Sequence, residues 1–171
     1  MLARIFPKRR DAAALRPLYE AIVAIARDPA WYRDGGVPDT VDGRFDLVST
    51  ILALVLIRLE ADGEAARREA VLLTEIFIDD MDASLRQIGI GDFVVGKQVG
   101  KLMGALGGRL GAFRQALADG DLTAVVRRNI FRDSPPSEEQ LGWVTQRLRG
   151  FSAKLANTPF GAMIDGSLIK P

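Results

Sequence analysis

LVSTILALVLIRL, residues Leu47 to Leu59, constrains the fold more than any other stretch, because its apolar side chains crowd together with no two-residue alternation. Its thirteen residues, interrupted by Arg58, fall short of the roughly 20 that cross a hydrocarbon core. A segment apolar nearly all round has to be surrounded, so the run predicts a helix through Phe45 to Glu60 at the centre of a helical fold. Asp42 is placed to cap it. The chain has 171 residues, enough for one real core, and Ala, Leu, Arg and Glu dominate over strand formers.

The surroundings read as further helices. Leu15, Leu18, Tyr19, Ile22, Val23, Ile25 and Ala26 recur at helical spacing, and Asp28-Pro29 ends that pattern. Pro, Gly and Asp crowd into PAWYRDGGVPDTVDGRF, an expected loop with turns. There Trp31 and Tyr32 read as a core plug, and Arg44, between Asp39, Asp42 and Asp46, as the residue that pins the loop. More helices are expected over about Glu64 to Ile88, Phe93 to Ala118 and Leu122 to Phe131. After the linker SPPSEEQ comes a last helix, with Ser137 and Gln140 at capping-box spacing and Thr158-Pro159 at its end. The expectation is all-α: a single compact domain of about six helices, with no significant β-sheet. It would span 15–157, between a basic, flexible N-terminal tail (1–14) and a C-terminal tail (158–171).

The chain contains no cysteine and no histidine. Disulfides, thiol catalysis, Ser–His–Asp arrangements, zinc fingers, Fe–S clusters and haem on its usual ligands are therefore excluded. Net charge is +2 over residues 1–59, −6 over 60–92 and +5 over 93–171. That polarity suits internal pairing or distinct binding faces better than a nucleic-acid binder, which would be basic throughout. MLARIFPKRR is basic, but no apolar run of signal-peptide length follows it, so the protein reads as soluble or peripheral. Residues 1–10 offer weak contact with an anionic membrane, contact with ribosomal RNA, or only a solvated tail.

The stretch FIDDMDASLRQIGIGD, Phe77 to Asp92, carries the most chemistry. An EF-hand starting at Asp80 needs Gly and Glu where Leu85 and Gly91 stand. A diphosphate-binding Asp-Asp-x-x-Asp motif starting at Asp79 closes on Ala83, and no second acidic motif accompanies it. As a helix, the stretch puts Glu75, Asp79, Asp82 and Arg86 in one stripe, with Phe77, Ile78, Met81, Leu85 and Ile88 opposite. Asp82 and Arg86 form a favourable i,i+4 pair, while the like charges repel, so the stripe should face a basic helix or a partner. Gly89 and Gly91 permit a turn, and Asp92 can cap the helix that follows.

These residues resemble a known family, the ubiquinol–cytochrome c reductase assembly chaperones, in a bacterial form. The resemblance rests on Phe77, Asp80-Met81-Asp82, Leu85-Arg86, Gly89, Gly91-Asp92 and Val95-Gly96-Lys97. It rests also on Val37-Pro38-Asp39-Thr40, Gly43-Arg44-Phe45-Asp46, Tyr19, Ala26-Arg27, Pro29 and Trp31-Tyr32, and covers roughly Leu15 to Ala118. Gln87 stands where a glutamate is usual, Leu106-Gly107 where an aromatic pair precedes Gly108-Arg109, and Ile51 where a histidine is expected. The resemblance implies an all-helical, non-enzymatic protein that binds newly made cytochrome b and helps it enter the bc1 complex. No cofactor or metal is implied. In mitochondria such proteins work with a small partner subunit and near the ribosome. A cytoplasmic location follows, with peripheral placement at the inner membrane. Asp79, Asp80, Asp82, Arg86, Gly91, Asp92, Lys97 and Lys101 are the expected contacts with client or partner. Two other classes stay open: a magnesium-dependent enzyme acting on diphosphates through Asp79, Asp80 and Asp82, and a membrane-surface adaptor.

Gly96, Gly100, Gly104, Gly107, Gly108 and Gly111 fall in the helix expected over Phe93 to Ala118. At about 0.8–1 kcal/mol each, they weaken it by roughly 5–6 kcal/mol relative to alanine. Close packing on a neighbouring helix of the same chain is the expected offset, and a groove for a client's transmembrane helix the alternative. Lys97 and Lys101, one turn apart, read as a solvated rim or as partners of the acidic stripe.

Overall fold

The computed structural model describes residues 9–168, all of whose regular elements are helical. In chain order these are α1 (Arg9–Ala14), α2 (Arg16–Ala26), α3 (Ala30–Arg33), α4 (Val41–Glu60), α5 (Glu64–Gln87), α6 (Asp92–Asp119), α7 (Thr123–Val126), α8 (Glu138–Ala156) and α9 (Phe160–Ile164). The expected all-α class and single helical domain are what the chain forms. Residues 1–8, on which most of the expected lipid contact falls, lie outside the described residues.

α4 is the axis. It packs on α2, α5, α6 and α8, and Leu47, Ile51, Leu52, Leu54, Val55, Leu56 and Leu59 are buried on all its sides. Each such side chain stabilises the fold by about 1.5–3 kcal/mol relative to exposure. The single charge in the run has a local task. Arg58 donates to the carbonyls of Leu155 (2.9 Å) and Thr158 (3.1 Å) and pairs with Asp62 (2.6 Å), so it closes the end of α8. The cap of α4 is Thr40, not Asp42. The chain is extended at Thr40, whose Oγ1 accepts from the Gly43 N–H at 3.1 Å, and this leaves Asp42 already inside the first turn.

The expected loop after α2 contains a helical turn, α3, because the Asp28 carboxylate accepts the Ala30 N–H (3.0 Å) and starts it. Trp31 and Tyr32 then donate to the last carbonyls of α2, Ile25 at 2.8 Å and Ala26 at 2.9 Å. Trp31 is fully buried and meets Trp143 of α8 edge to face, 5.7 Å between centroids. Arg147 lies over both indoles, 4.3 and 4.9 Å from their centroids, and pairs with Asp28 at 2.6 Å. The core plug is thus also a clamp joining α8 to the loop.

Where one helix was expected from Leu122 to Phe131, α7 passes into a π turn, Arg127–Phe131, that buries Ile130 and Phe131. α8 opens with the expected capping box, Ser137 and Gln140 exchanging hydrogen bonds of 3.0 and 3.1 Å. α9 buries Met163.

Candidate functional site

A groove of about 240 Å³ lies between α2, the start of α4 and α5. Its apolar surface is supplied by Val23, Phe45, Val48, Met81, Leu85 and Leu102, its rim by Arg27, Tyr32, Asp42, Arg44 and Asp80. Val41 and Ile88 stand exposed among its lining residues. The turn before α4 builds one wall. A Cβ on Gly43 would come within 2.0 Å of the Pro38 carbonyl oxygen, so only glycine lets that turn fold over the helix. Arg44 is then held by Asp39 at 2.6 Å and lies 5.7 Å over the Tyr32 ring, which bears out its role as a pin. Burial pushes the Tyr32 phenol above its usual range, the Arg44 charge opposing this.

The opposite wall is the acidic stretch of α5, and here its members part. Asp80 accepts the Tyr19 hydroxyl at 2.6 Å. Burial, and then the Asp80 carboxylate, push the Tyr19 phenol far upward, so it stays a donor that holds Asp80 between two concavities. The second of these, about 560 Å³, is bordered by Ala12, Arg16, Tyr19, Asp79 and Asp80. Asp82 pairs with Arg86 at 2.7 Å as the i,i+4 spacing predicts, and Arg86 reaches on to Asp92. That bridge staples α5 to α6 across the turn. Asp92 therefore does not cap α6: Gly91 is the N-cap at an ordinary φ of −69°, and Gly89, at φ +89°, makes the turn. Lys97 and Lys101 are exposed on α6 with no ion pair to the described residues. Among the described residues no three carboxylates gather as a metal site would require.

The glycine expectation is overturned. A Cβ built on Gly96, Gly100, Gly104, Gly107, Gly108 or Gly111 would meet nothing within 4 Å, so no helix among the described residues packs against them. α6 packs on α4 and buries Val95, Leu106, Arg109 and Phe113 on its inner side, and a 3.6-residue turn swings the glycines to the far side.

A buried charge cluster escaped the sequence reading. Arg109 of α6 donates to Asp46 (2.5 Å), Ser49 (2.8 Å) and the Asn129 carbonyl of the π turn (2.9 Å), and Arg132 reaches Asp46 at 2.5 Å. Burial pushes the Asp46 carboxyl up against the pull of both guanidiniums, and pushes Arg109 down against the pull of Asp46. An aspartate in the apolar helix and an arginine on the apolar face of α6 were its signals. A larger apolar concavity, about 650 Å³ between α4, α5 and Leu110, holds none of the residues behind the family resemblance. Two of its rim acids are paired, Glu60 with Arg114 of α6 and Glu64 with Arg67.

The family model of the ubiquinol–cytochrome C chaperones matches residues 33–168. The chain belongs to that family. The match runs on through α7, α8 and α9, beyond the span where the sequence alone showed a resemblance. The crystal structure of a Cbp3 homolog from Brucella abortus is similar over 100% of this chain and 97% of that one, with 31% identity and a TM-score of 0.81. No curated protein matches. For this chaperone, then, the groove is where residues far apart in sequence meet: Arg27, Tyr32, Arg44, Phe45, Asp80, Met81 and Leu85 all line it.

Proposed function

We propose that the protein is a non-enzymatic assembly chaperone that binds newly made cytochrome b and promotes its incorporation into the bc1 complex. One observation carries the reading: in a chain of this family, two sequence blocks nearly forty residues apart converge on a single apolar groove with a charged rim. An apolar floor suits a hydrophobic segment awaiting insertion, and the rim suits the polar loop beside it. Asp80, fixed by Tyr19, is the acidic contact best placed at the groove. Asp82, Arg86 and Asp92 shape its α5 wall by stapling the hairpin, and Asp79 faces the neighbouring concavity. Gly91 belongs to the same turn, whereas Lys97 and Lys101 lie on the outer side of α6. The chaperone would work at the cytoplasmic face of the membrane that holds bc1.

A photo-crosslinker placed at Val41 or Ile88 in cells that make a bc1 complex tests this. Cytochrome b is expected among the captured proteins, and the same probe at Val71, by the larger concavity, should not capture it. Capture of unrelated proteins only, or unchanged bc1 content after deletion of the gene, would reject the reading.

A further inference from the structure

The end of the α5–α6 hairpin carries an apolar cluster of which the groove uses only Ile88. Of the five large apolar side chains the described residues leave exposed, three fall within seven residues there: Ile88 (60% exposed), Phe93 (104%) and Val94 (47%). The contrast within the chain is sharp, since Phe77, Phe113, Phe131 and Phe151 are buried. Phe93 stands in the first turn of α6, and nothing among the described residues covers it.

The charges beside it are ordered along the helix. At 100° per residue, Phe93, Val94, Lys97 and Lys101 share an arc of about 100°. The lysines stand about 6 and 12 Å behind Phe93 along the axis. Asp92 projects to the other side, and Arg86 holds both it and Asp82, the acids nearest the tip. The charged residues from 82 to 101 sum to +1. Gly96 and Gly100 add no side chain that would hold the helix off a surface.

We infer that this hairpin end is a peripheral anchor for an anionic lipid surface. An apolar point followed by cations matches the layering of a bilayer interface, where apolar groups enter about 5–10 Å and lysines meet the headgroup phosphates. A protein partner is the weaker match. Neither Phe93 nor Val94 lines any of the three concavities described above. No described helix is long and apolar enough to cross a membrane, so attachment here is at the surface. The anchor does not depend on the identity of the client.

Flotation of the full chain with vesicles tests it. The chain should bind phosphatidylcholine vesicles that contain phosphatidylglycerol far better than phosphatidylcholine alone. Lys97→Gln with Lys101→Gln should weaken partition about 25-fold, from about fivefold per cation. Phe93→Ser should weaken it by about tenfold. Phe93→Trp should show blue-shifted emission when phosphatidylglycerol vesicles are added, and removal of residues 1–8 should leave the dependence on Phe93 and the lysines intact. All three positions are exposed, so circular dichroism should show every variant melting with the parent. Absence of binding, or equal binding by parent and variants, overturns the inference. So does a result in which the variants lose only capture of detergent-solubilised cytochrome b while vesicle binding persists, because the surface would then serve a protein.

Discussion

Six glycines on the outer side of α6 give a quantitative test, because the fold has no use for them. None has a positive φ, and an added methyl at any of them meets nothing within 4 Å. Alanine at Gly100, Gly104 and Gly107 should therefore yield the helix-propensity gain alone, about 0.8–1 kcal/mol each, or roughly 2.5–3 kcal/mol together. For a chain of this size about 2–4 °C per kcal/mol is usual, so the triple variant should melt roughly 5–12 °C higher by circular dichroism. Urea denaturation should show a higher midpoint with an unchanged slope. A lower or unchanged melting temperature would mean that these positions contact something in the folded monomer, and the account of α6 would be wrong. The functional half follows from the same geometry. If the bare backbone is kept for close approach of another helix, the triple variant should be more stable yet recover less cytochrome b on crosslinking. A variant both more stable and fully active would leave the glycines without a functional role.

Asp46→Ala leaves Arg109 buried without its carboxylate and should cost about 3 kcal/mol in urea, Ser49 and the Asn129 carbonyl softening the loss. Adding Arg109→Met should recover most of it; a single variant costing under about 1 kcal/mol would refute this. Arg147→Met removes the contacts over Trp31 and Trp143 and the pair with Asp28, and should cost about 2–3 kcal/mol with a changed near-ultraviolet spectrum. Ser137→Ala breaks the capping box of α8 and should cost about 1 kcal/mol in thermal melts, with no effect on crosslinking in the groove.

What could be read in advance was local or periodic. The central place of α4 follows from a run with no polar face, and the capping box and the Asp82–Arg86 pair follow from fixed short spacings. The failures share one cause, side-chain direction. The glycines were set beside the apolar stripe by their proximity in number, yet the helical turn places them on the opposite side from Leu106 and Phe113. Asp42 and Asp92 had the right identity for caps, but the N-cap falls two residues earlier, at Thr40, and one earlier, at Gly91. Tyr19–Asp80 and Arg109–Asp46 join residues 61 and 63 apart, and no spacing rule reaches that far.

Geometry also divides the residues on which the resemblance rests, which the sequence presents as a single set. Tyr19, Trp31, Gly43 and Asp46 hold the architecture: a hydroxyl fixing Asp80, a plug closing α2, a turn that admits no side chain and an acid locking α6 to α4. Arg86 and Asp92 hold the hairpin. Beside Arg44 and Asp80, which Asp39 and Tyr19 hold, five more of them line the groove: Arg27, Tyr32, Phe45, Met81 and Leu85. Of these five, Tyr32 alone also closes a helix end, through its hydroxyl. Phe45 also packs on Phe77 and under Arg109, whereas the side chains of Arg27, Met81 and Leu85 make no hydrogen bond or ion pair among the described residues, which leaves those three to meet a client. Substitutions in the first set should act through stability, and those in the last through capture. Met81→Asp is the sharpest probe of that division. Met81 is only half-buried, so the folded state survives a carboxylate there, while an apolar segment entering the groove would have to bury that charge. Crosslinking from Val41 should then fall at least tenfold with the thermal melt little changed; loss of the fold together with capture would return Met81 to the architectural set.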